Sequence, residues 1–318
     1  MPKPTRRIRP IGLIGLGLMG SAIAERLFAA GHSVLGWDIA LKARTHLTRL
    51  AGTVARDAEE VFTQCDHILL SLPDSRITRS VFRAAAPFLR NAHVIADTTT
   101  GNPQDAIALS RQLSRTGATY LEATISGNSD QVRRGEVLVM VGGPKPAFDR
   151  IKELFATFAA RTIYTGNSGS AAQMKLVTNL VLGLNRPALA EGLVFARALK
   201  LDGQHTLKIL RSSMAYSRIM DVKGEKMLRG DFKPQARLSQ HLKDVRLMLS
   251  AAAKAHTKLP LSETHRKLLS AAQAAGFGQL DNSAIIRVIG APTSKPARSN
   301  GEPASGPAQK TTSRAKPH

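Results

Sequence analysis

The sequence is poor in cysteine, in aromatic residues and in long apolar runs. Cys65 is the one cysteine among 318 residues, so no disulfide can form within the chain, and such usage fits a reducing compartment. Aromatic residues make up only 4% of the chain, although 43% of it is hydrophobic. No uninterrupted apolar run reaches the roughly 18 residues that a membrane-spanning helix needs. These shortages exclude a disulfide-stabilised small domain and predict a chain that does not cross a membrane.

Negative charge is also scarce, and the formal net charge is +22. This excess raises nucleic acid as a partner, but zinc-finger spacings, RNA-binding aromatic patterns and basic-zipper heptads are missing from the sequence. The lysines and arginines are spread along the chain instead of forming one stripe. We therefore expect a cationic surface that attracts small acidic metabolites, and we expect neither nucleic acid nor a membrane as partner.

The start of the chain, MPKPTRRIRPIGLIGLGLMG, is similar to a secretory signal in that basic residues precede an apolar run. The apolar part, however, carries four patterned glycines and continues into a helix-like segment. Together with the single cysteine, this pattern predicts a protein that stays in the cytoplasm. The spacings H-x-x-x-H and C-x-x-C do not occur, so no metal site is expected.

Short apolar runs alternate with helix-like segments over the first half of the chain. The runs are IGLIGLG, SVLGWD, HILLSLPD, HVIADTTT, TYLEATIS and VLVMVGG. Such runs, separated by helical lengths, indicate βαβ units and a parallel sheet. The first half of the chain is therefore predicted to be an α/β domain.

The first run contains the pattern G-x-G-x-x-G, formed by Gly15, Gly17 and Gly20, between a predicted strand and a predicted helix. In that setting the first glycine allows a tight turn, the second lets the backbone approach a pyrophosphate, and the third lets helix and strand pack closely. The free N–H groups at the start of the helix would face the phosphates. This motif predicts a dinucleotide site.

An acidic residue follows at the distance that this motif requires. Asp38 ends the run SVLGWD, where its carboxylate would bind the ribose hydroxyls of NAD. The 2′-phosphate of NADP would meet the same carboxylate as a like charge. NAD is therefore the expected cofactor and NADP the less favoured one. Lys42 and Arg44 leave the choice open, although we expect them on a solvated helix face.

From about residue 168 the pattern changes to continuous helix. The segment SAAQMKLVTNLVLGLNRPALAEGLVFARALKL is apolar on nearly every side, so it predicts a long buried helix with Pro187 as the position of a kink. Helical periodicity continues to about residue 290, and the proline-rich remainder predicts disorder. The predicted division is a basic arm over residues 1–10, a dinucleotide-binding domain over 11–167, an interdomain helix with an all-α domain over 168–290, and a disordered basic tail over 291–318.

Several motifs in order carry a resemblance that covers residues 11–290. They are GLIGLGLMG at the start, SLPD at 71–74, DTTTGNP at 97–103, GNSGSAAQMKLVTN at 166–179, KD at 243–244 and GQLDNSA at 278–284. In these motifs the chain resembles the β-hydroxyacid dehydrogenase family, which includes 3-hydroxyisobutyrate dehydrogenase and tartronate semialdehyde reductase. The resemblance implies a Rossmann domain, a long interdomain helix and an all-α domain through which the protein forms a homodimer or homotetramer.

The resemblance also implies a set of cofactor-binding residues. The glycine-rich loop would hold the pyrophosphate, Leu72 and Pro73 would shape the floor under the cofactor, and Thr99 and Thr100 would line the nicotinamide ribose. Lys243 matches the family lysine near the nicotinamide end. The full set is Gly15, Leu16, Gly17, Leu18, Met19, Gly20, Asp38, Leu72, Pro73, Thr99, Thr100 and Lys243.

Lys175 matches the catalytic lysine of the family. Reduction of an aldehyde by hydride builds negative charge on the carbonyl oxygen, which an ammonium group can stabilise and protonate. A lysine with its ordinary pKa of about 10.4 is a poor base at neutral pH, so we expect burial and a second cation, Lys243, to lower the pKa of Lys175. Asn179 lies four residues further on the same helix face and would orient the reacting oxygen.

The predicted substrate loop departs from the family pattern. Relatives have roughly Asp-Ala-Pro-Val-Ser-Gly-Gly, whereas this chain has EATISGN at residues 122–128. Ser126 and Gly127 match the positions that hold a substrate carboxylate. Asn128 replaces the last glycine of this pattern, and we expect it either to add a polar group to the pocket or to supply a left-handed turn, as glycine would. The loop leaves the reaction class unchanged and the substrate open.

Three functions remain open from the sequence. The first is a dehydrogenase or reductase for a small β-hydroxy acid and its semialdehyde. The second is an imine reductase on the same scaffold, against which Lys175 argues. The third is a non-catalytic, dehydrogenase-like scaffold that binds nucleic acid. The histidines supply no competing mechanism, and His241 is expected on the surface. Arg133 and Arg134 are expected in a solvated loop.

Overall fold

A computed structural model describes residues 9–289 of the chain. Most of the predicted basic arm and the predicted disordered tail lie outside these residues. Within them, the chain forms a sheet flanked by helices, followed by a group of helices. The boundaries predicted at residues 167 and 168 stay a prediction.

The first half of the chain forms one eight-stranded sheet with the strand order β3-β2-β1-β4-β5-β6-β7-β8. Neighbouring strands are parallel, except for β6 and β7, which are antiparallel. The strands are β1 (Ile11–Ile14), β2 (Val34–Trp37), β3 (Thr53–Val54), β4 (His67–Leu70), β5 (Val94–Asp97), β6 (Thr119–Ser126), β7 (Val137–Gly142) and β8 (Ala159–Gly166). Most residues of the central strands are apolar and buried because helices cover the sheet.

Seven helices connect these strands. They are α1 (Leu18–Ala29), α2 (Leu41–Arg49), α3 (Ala58–Gln64), α4 (Ser75–Ala85), α5 (Pro103–Ser114), α6 (Ser129–Arg133) and α7 (Lys145–Ala156). Asp57 and Asp74 cap α3 and α4 by accepting backbone N–H bonds in their first turns. The polar loops that precede these helices therefore end where the sequence supplies a capping side chain.

The predicted α/β class, with a Rossmann-type half followed by a helical half, is confirmed. All six predicted strands are present, but β3 and β8 were not predicted and the sheet is not wholly parallel. Strand β3 has only two residues, and β8 is an edge strand with several exposed positions, so neither forms an apolar run in the sequence. Edge strands lack the buried pattern on which the prediction relied.

The second half of the described chain is helical. The long helix α8 (Ser170–Ala198) leaves the sheet and packs against α9 (Gly203–Ser212), α10 (Arg218–Arg229), α11 (Leu238–Lys254), α12 (Pro260–Ala274) and α13 (Ile286–Ile289). Leucine and methionine side chains fill the core between them. Lys223 of α10 makes two 2.9 Å bonds to the buried carboxylate of Asp281, which ties the segment after α12 to this core.

The prediction that the segment after residue 168 is buried on nearly every side is wrong for the outer face of α8. Met174, Val177, Val181 and Phe195 are 45–64% exposed. The helix contacts the sheet at its start and helices along its length, but these neighbours leave one apolar stripe uncovered. Pro187 lies inside the helix without ending it. Among residues 9–289, no helix combines the length and the apolar character needed to cross a bilayer.

Candidate active site

The glycine-rich loop between β1 and α1 shows why each glycine is needed. Gly15 has a positive φ of 93°, and a Cβ there would lie 2.2 Å from the carbonyl oxygen of Ser71. A Cβ at Gly20 would lie 1.9 Å from the carbonyl oxygen of Gly15. At Gly17, in contrast, no atom lies within 4 Å of the Cβ position. The loop therefore leaves open space at the position where the motif predicts the pyrophosphate.

Residues around this loop also have the exposure that a cofactor surface needs. Leu16 and Gly20 are buried, Met19 is half-buried, and Leu18 at the start of α1 is 72% exposed. The exposed part of the loop faces outward from the carboxyl ends of β1 and β4, where ligands bind in open α/β sheets.

Asp38 follows β2 and lies against the loop. Its Oδ2 accepts a 2.7 Å bond from the backbone N–H of Leu16, and its Oδ1 accepts a 2.8 Å bond from that of Ala40. The Arg44 guanidinium lies 4.5 Å from the ring centroid of Trp37 and donates to the Asp38 carbonyl oxygen. Arg44 is thus partly buried on the indole and not on the solvated face predicted for it, whereas Lys42 is exposed.

The loops after β4 and β5 meet beside the glycine-rich loop. The backbone N–H of Leu72 donates to the Thr99 hydroxyl at 3.1 Å, so the two predicted cofactor segments are bonded to each other. Lys243 of α11 reaches across from the helical half and donates to the Pro73 carbonyl oxygen at 3.2 Å. Thr100 is half-buried next to Thr99. These contacts join the two halves of the molecule where the sequence predicts the cofactor cleft.

Lys175 lies in α8 and is 7% exposed. Its Nζ donates a 2.6 Å bond to the carbonyl oxygen of Ile125, at the end of β6 and directly before Ser126. Burial lowers the pKa of Lys175 to about 8. Lys243, expected to lower this pKa as a second cation, makes no such contribution, because its ammonium group is directed to Pro73. Asn179 is half-buried one turn beyond Lys175.

Asp244 is a site residue to which the sequence analysis gave no role. Burial raises its pKa to about 6, while the charges of Lys243 and Lys175 oppose this increase. Its negative charge in turn favours the ammonium form of Lys175. Its place in the KD pair, next to a predicted cofactor residue, was the signal that could have identified it. Lys175 and Asp244 are thus a buried lysine and a buried carboxylate that interact electrostatically, and the pKa values of both move toward neutral pH.

The predicted substrate loop begins at Ser126, which is half-buried at the end of β6, and continues through exposed Gly127. Asn128 has a φ of −117°, so the prediction of a left-handed turn is wrong. Its side-chain oxygen accepts from the backbone N–H of Gln131, whose side chain accepts from the backbone N–H of Asn128. This capping box starts α6, so the Asn128 side-chain oxygen makes a structural hydrogen bond. Arg133, predicted in a solvated loop, lies in α6 and binds Glu25 of α1 at 2.9 Å.

His241, expected on the surface, is buried at 8% exposure. It lies on the inner face of α11 with Leu238 and Leu242, and its ring centroid is 5.1 Å from that of His265. Burial lowers the pKa of His241 well below its ordinary value, so the ring is neutral at pH 7. The helical spacing of the buried residues along α11 could have indicated that His241 is buried, but the charged residues of the segment QHLKDVR obscured this pattern.

Comparisons with known proteins agree with this geometry. Residues 10–166 match the model of the NAD binding domain of 6-phosphogluconate dehydrogenase, and residues 169–289 match the model described as NAD-binding of NADP-dependent 3-hydroxyisobutyrate dehydrogenase. The 2-hydroxy-3-oxopropionate reductase of Escherichia coli is 30% identical over 88% of this chain and 96% of its own length. The chain belongs to the β-hydroxyacid dehydrogenase family. It therefore belongs to a family of NAD(P)-dependent oxidoreductases.

Solved structures extend the comparison to the whole β-hydroxyacid dehydrogenase fold. The 3-hydroxyisobutyrate dehydrogenase of Mycobacterium tuberculosis, solved with L-serine, is 26% identical with a TM-score of 0.82 over 89% of this chain and all of its own. An imine reductase from Pseudomonas sp. is 21% identical with a TM-score of 0.62 over 88% of this chain and 99% of its own. The second likeness is more distant and shows the fold alone.

The contrast between Gly17 and Gly20 gives a testable prediction. We expect Gly17→Val to fold with the thermal stability of the parent, because space is open at its Cβ and its φ of −65° suits any residue. The side chain would fill the approach to the pyrophosphate, so affinity for NADH should fall at least about tenfold. Dinucleotide fluorescence titration and thermal melting measure the two effects. Gly20→Ala is the comparison: it should lower the melting temperature, and equal effects of both variants would contradict the assignment.

Proposed function

We propose that the protein is an NAD-dependent oxidoreductase that interconverts a small β-hydroxy acid and its semialdehyde, with Lys175 as general acid and base. The observation that carries this proposal is the buried Lys175 ammonium group, held by the Ile125 carbonyl directly before Ser126. The 2-hydroxy-3-oxopropionate reductase and 3-hydroxyisobutyrate dehydrogenase relatives support the same reaction class.

The bound nicotinamide would supply or accept the hydride, and side chains of the protein would stabilise the developing charge and transfer the proton. During reduction, negative charge develops on the carbonyl oxygen of the substrate, and the Lys175 ammonium stabilises that charge and donates its proton. During oxidation, the neutral amine of Lys175 accepts the hydroxyl proton. Asn179 would orient the same oxygen from the next turn of α8, and Ser126 and Gly127 would bind the substrate carboxylate.

The charge state of Lys175 suits this role. With a pKa of about 8, its amine carries a proton at pH 7 and yet releases it more readily than an ordinary lysine. Asp244, with a pKa of about 6, is ionised at pH 7, and its charge favours the ammonium form. Efficient acid and base catalysis needs a pKa near the working pH, and this pair supplies it.

NAD is the proposed cofactor because of Asp38. Its carboxylate lies at the end of β2 and within bonding distance of the glycine-rich loop, where it would accept the ribose hydroxyls and repel a 2′-phosphate. Arg44, the nearest candidate for binding that phosphate, is engaged with Trp37 and the Asp38 backbone.

The uncovered stripe of α8 supports a homodimer or homotetramer, which we also propose. Exposed apolar residues that recur every three to four positions on a helix normally pack against a partner. We propose that the partner is a second copy of the chain, that the substrate is a small acidic metabolite attracted by the cationic surface, and that the enzyme works in the cytoplasm.

Lys175→Ala tests the proposed chemistry. We expect kcat/KM for reduction of a carboxylate-bearing semialdehyde by NADH to fall at least about 100-fold, the usual contribution of a general acid. In the parent, kcat/KM for reduction should decrease as pH rises through about 8, and that for oxidation should increase, because the two directions need the protonated and the neutral amine respectively. The variant should lose both transitions.

The matched control is Lys254→Ala, which removes an exposed lysine at the end of α11 and should keep the parental rate. Coupled assays with a panel of small semialdehydes give both rates and profiles. A Lys175→Ala variant as fast as the parent, with the same pH profile, would show that the assignment of the acid is wrong.

Asp38→Asn tests the cofactor. Loss of the like charge and of one ribose acceptor should shift the ratio of kcat/KM for NADH to that for NADPH toward NADPH by at least about tenfold. Initial-rate kinetics with each dinucleotide give the ratio, and Asp149→Asn on the exposed side of α7 should leave it unchanged. Preference of the parent for NADPH would overturn the proposal.

Val181→Glu tests the oligomer. Val181 is 54% exposed on α8, and a glutamate buried there in an interface without a partner costs about 3–5 kcal/mol. We expect sedimentation to show a dimer or tetramer for the parent and a monomer for the variant. Ile163→Glu, at a residue 49% exposed on β8, should keep the parental state. A monomeric parent would contradict the proposal.

A further inference from the structure

Glu122 lies within β6 and is 2% exposed, yet both of its carboxylate oxygens have partners on another element. One oxygen accepts from the backbone N–H of Gly169, and the other accepts from that of Ala172 at 2.9 Å. These N–H groups belong to the first turn of α8, and Gly169 has no side chain with which to cap that turn. The strand therefore caps the helix that carries Lys175.

The same strand contacts α8 a second time, at Lys175. Three residues separate Glu122 from Ile125, or about 10 Å along a strand, and six residues separate Gly169 from Lys175, or about 9 Å along a helix. Because these two lengths are nearly equal, the cap at Glu122 places the Lys175 Nζ level with the Ile125 carbonyl oxygen, 2.6 Å away.

A third contact lies between these two. The Thr124 hydroxyl donates a long 3.4 Å bond to the carbonyl oxygen of Ala171. Thr124 replaces the proline of the family pattern, and Glu122 replaces its aspartate with a side chain longer by one methylene. These two departures from the pattern are therefore polar side chains of β6 that contact the start of α8.

We propose that Glu122 is a positioning residue for the proposed reaction: by bridging β6 and the first turn of α8, it fixes the Lys175 ammonium against the Ile125 carbonyl at the edge of the cleft. The proposal rests on the function proposed for Lys175. Glu122 itself acts through the helix and does not contact the reacting atoms.

The bridge also keeps water from Lys175. Burial is what lowers the pKa of this lysine, and burial requires the first turns of α8 to stay against β6. An aspartate at position 122 keeps the carboxyl group but withdraws it by one methylene, so it should lose the bonds to Gly169 and Ala172. The helix start would then move outward, and Lys175 would become hydrated.

Glu122→Asp in the full-length protein tests this without a known substrate. Competitive acylation of lysines with acetic anhydride across pH, followed by mass spectrometry, measures the pKa of the Lys175 amine directly. We expect an inflection near the parental value of about 8 in the parent and one at least about 1 unit higher in the variant, toward the ordinary 10.4. An unchanged inflection in a folded variant would overturn the proposal.

The kinetic test separates positioning from binding. In Glu122→Asp, kcat for semialdehyde reduction should fall about 10- to 100-fold, as expected when a reacting group is displaced by about 1 Å. The KM for NADH should stay at the parental value, because the glycine-rich loop and Asp38 are untouched. A parental kcat, or a loss confined to KM, would contradict the role.

The matched control removes a helix cap elsewhere. Asp202 caps α9 through a 2.7 Å bond from the backbone N–H of His205. Asp202→Ala should lower the melting temperature but leave both the acylation profile and kcat unchanged. If it shifted the Lys175 profile as much as Glu122→Asp does, the effect would be general loosening and the proposal would be wrong.

Glu122→Gln covers the case in which the aspartate variant does not fold. Glutamine keeps the side-chain length and one acceptor oxygen. The rise in the Lys175 pKa and the loss of kcat should therefore be measurable but smaller than those expected for a shorter side chain. A parental acylation profile would overturn the proposal. Failure of the proposed function is distinguishable from failure of this inference: an active Lys175→Ala variant rejects the function, whereas the acylation profile still reports whether Glu122 positions Lys175.

Discussion

The site depends on keeping one ammonium group away from water without leaving it unpaired. A buried charge without partners is unstable, so Lys175 has a carbonyl from β6 as acceptor and a carboxylate from α11 nearby. Three elements distant in sequence must therefore hold their places to within a fraction of an ångström. The remainder of the fold can be understood as the support for that one group.

Lys243 shows how the two halves of the molecule share the cleft. Its bond to the Pro73 carbonyl joins α11 to the loop after β4, so the helical half touches the sheet on the cofactor side as well as through α8. Asp244, the next residue in α11, faces Lys175 in turn. Adjacent residues of one helix thus serve the proposed cofactor side and the proposed proton-transfer side of the same cleft.

Much of this arrangement could be predicted from the sequence because it depends on local patterns. The glycine spacing, the acidic residue after β2 and the apolar runs are properties of short segments, and the structure has them where they were expected. Asp244, Glu122 and His241 depend instead on contacts between distant segments. A charged stretch such as QHLKDVR has the same composition on a surface as in a helix that buries one face. The reversed direction of β7 was missed for the same reason, since strand direction leaves no mark on composition.

The reversal of β7 determines from which direction α8 brings Lys175 to the end of β6. Strand β8 is parallel to β7 and ends beside Gly142, level with Glu122 and therefore with Asp97 at the end of β5, so the chain leaves the sheet level with the edge at which the dinucleotide would lie. Helix α8 then runs alongside the end of β6, and Lys175 lies beyond that edge, level with Ile125. Had β7 and β8 run in the same direction as the other strands, a helix packed beside the sheet after β8 would have run back from this edge toward the amino ends of the strands. Because these two strands are reversed, the chain that leaves β8 turns and carries Lys175 past Ile125, beside the proposed substrate loop.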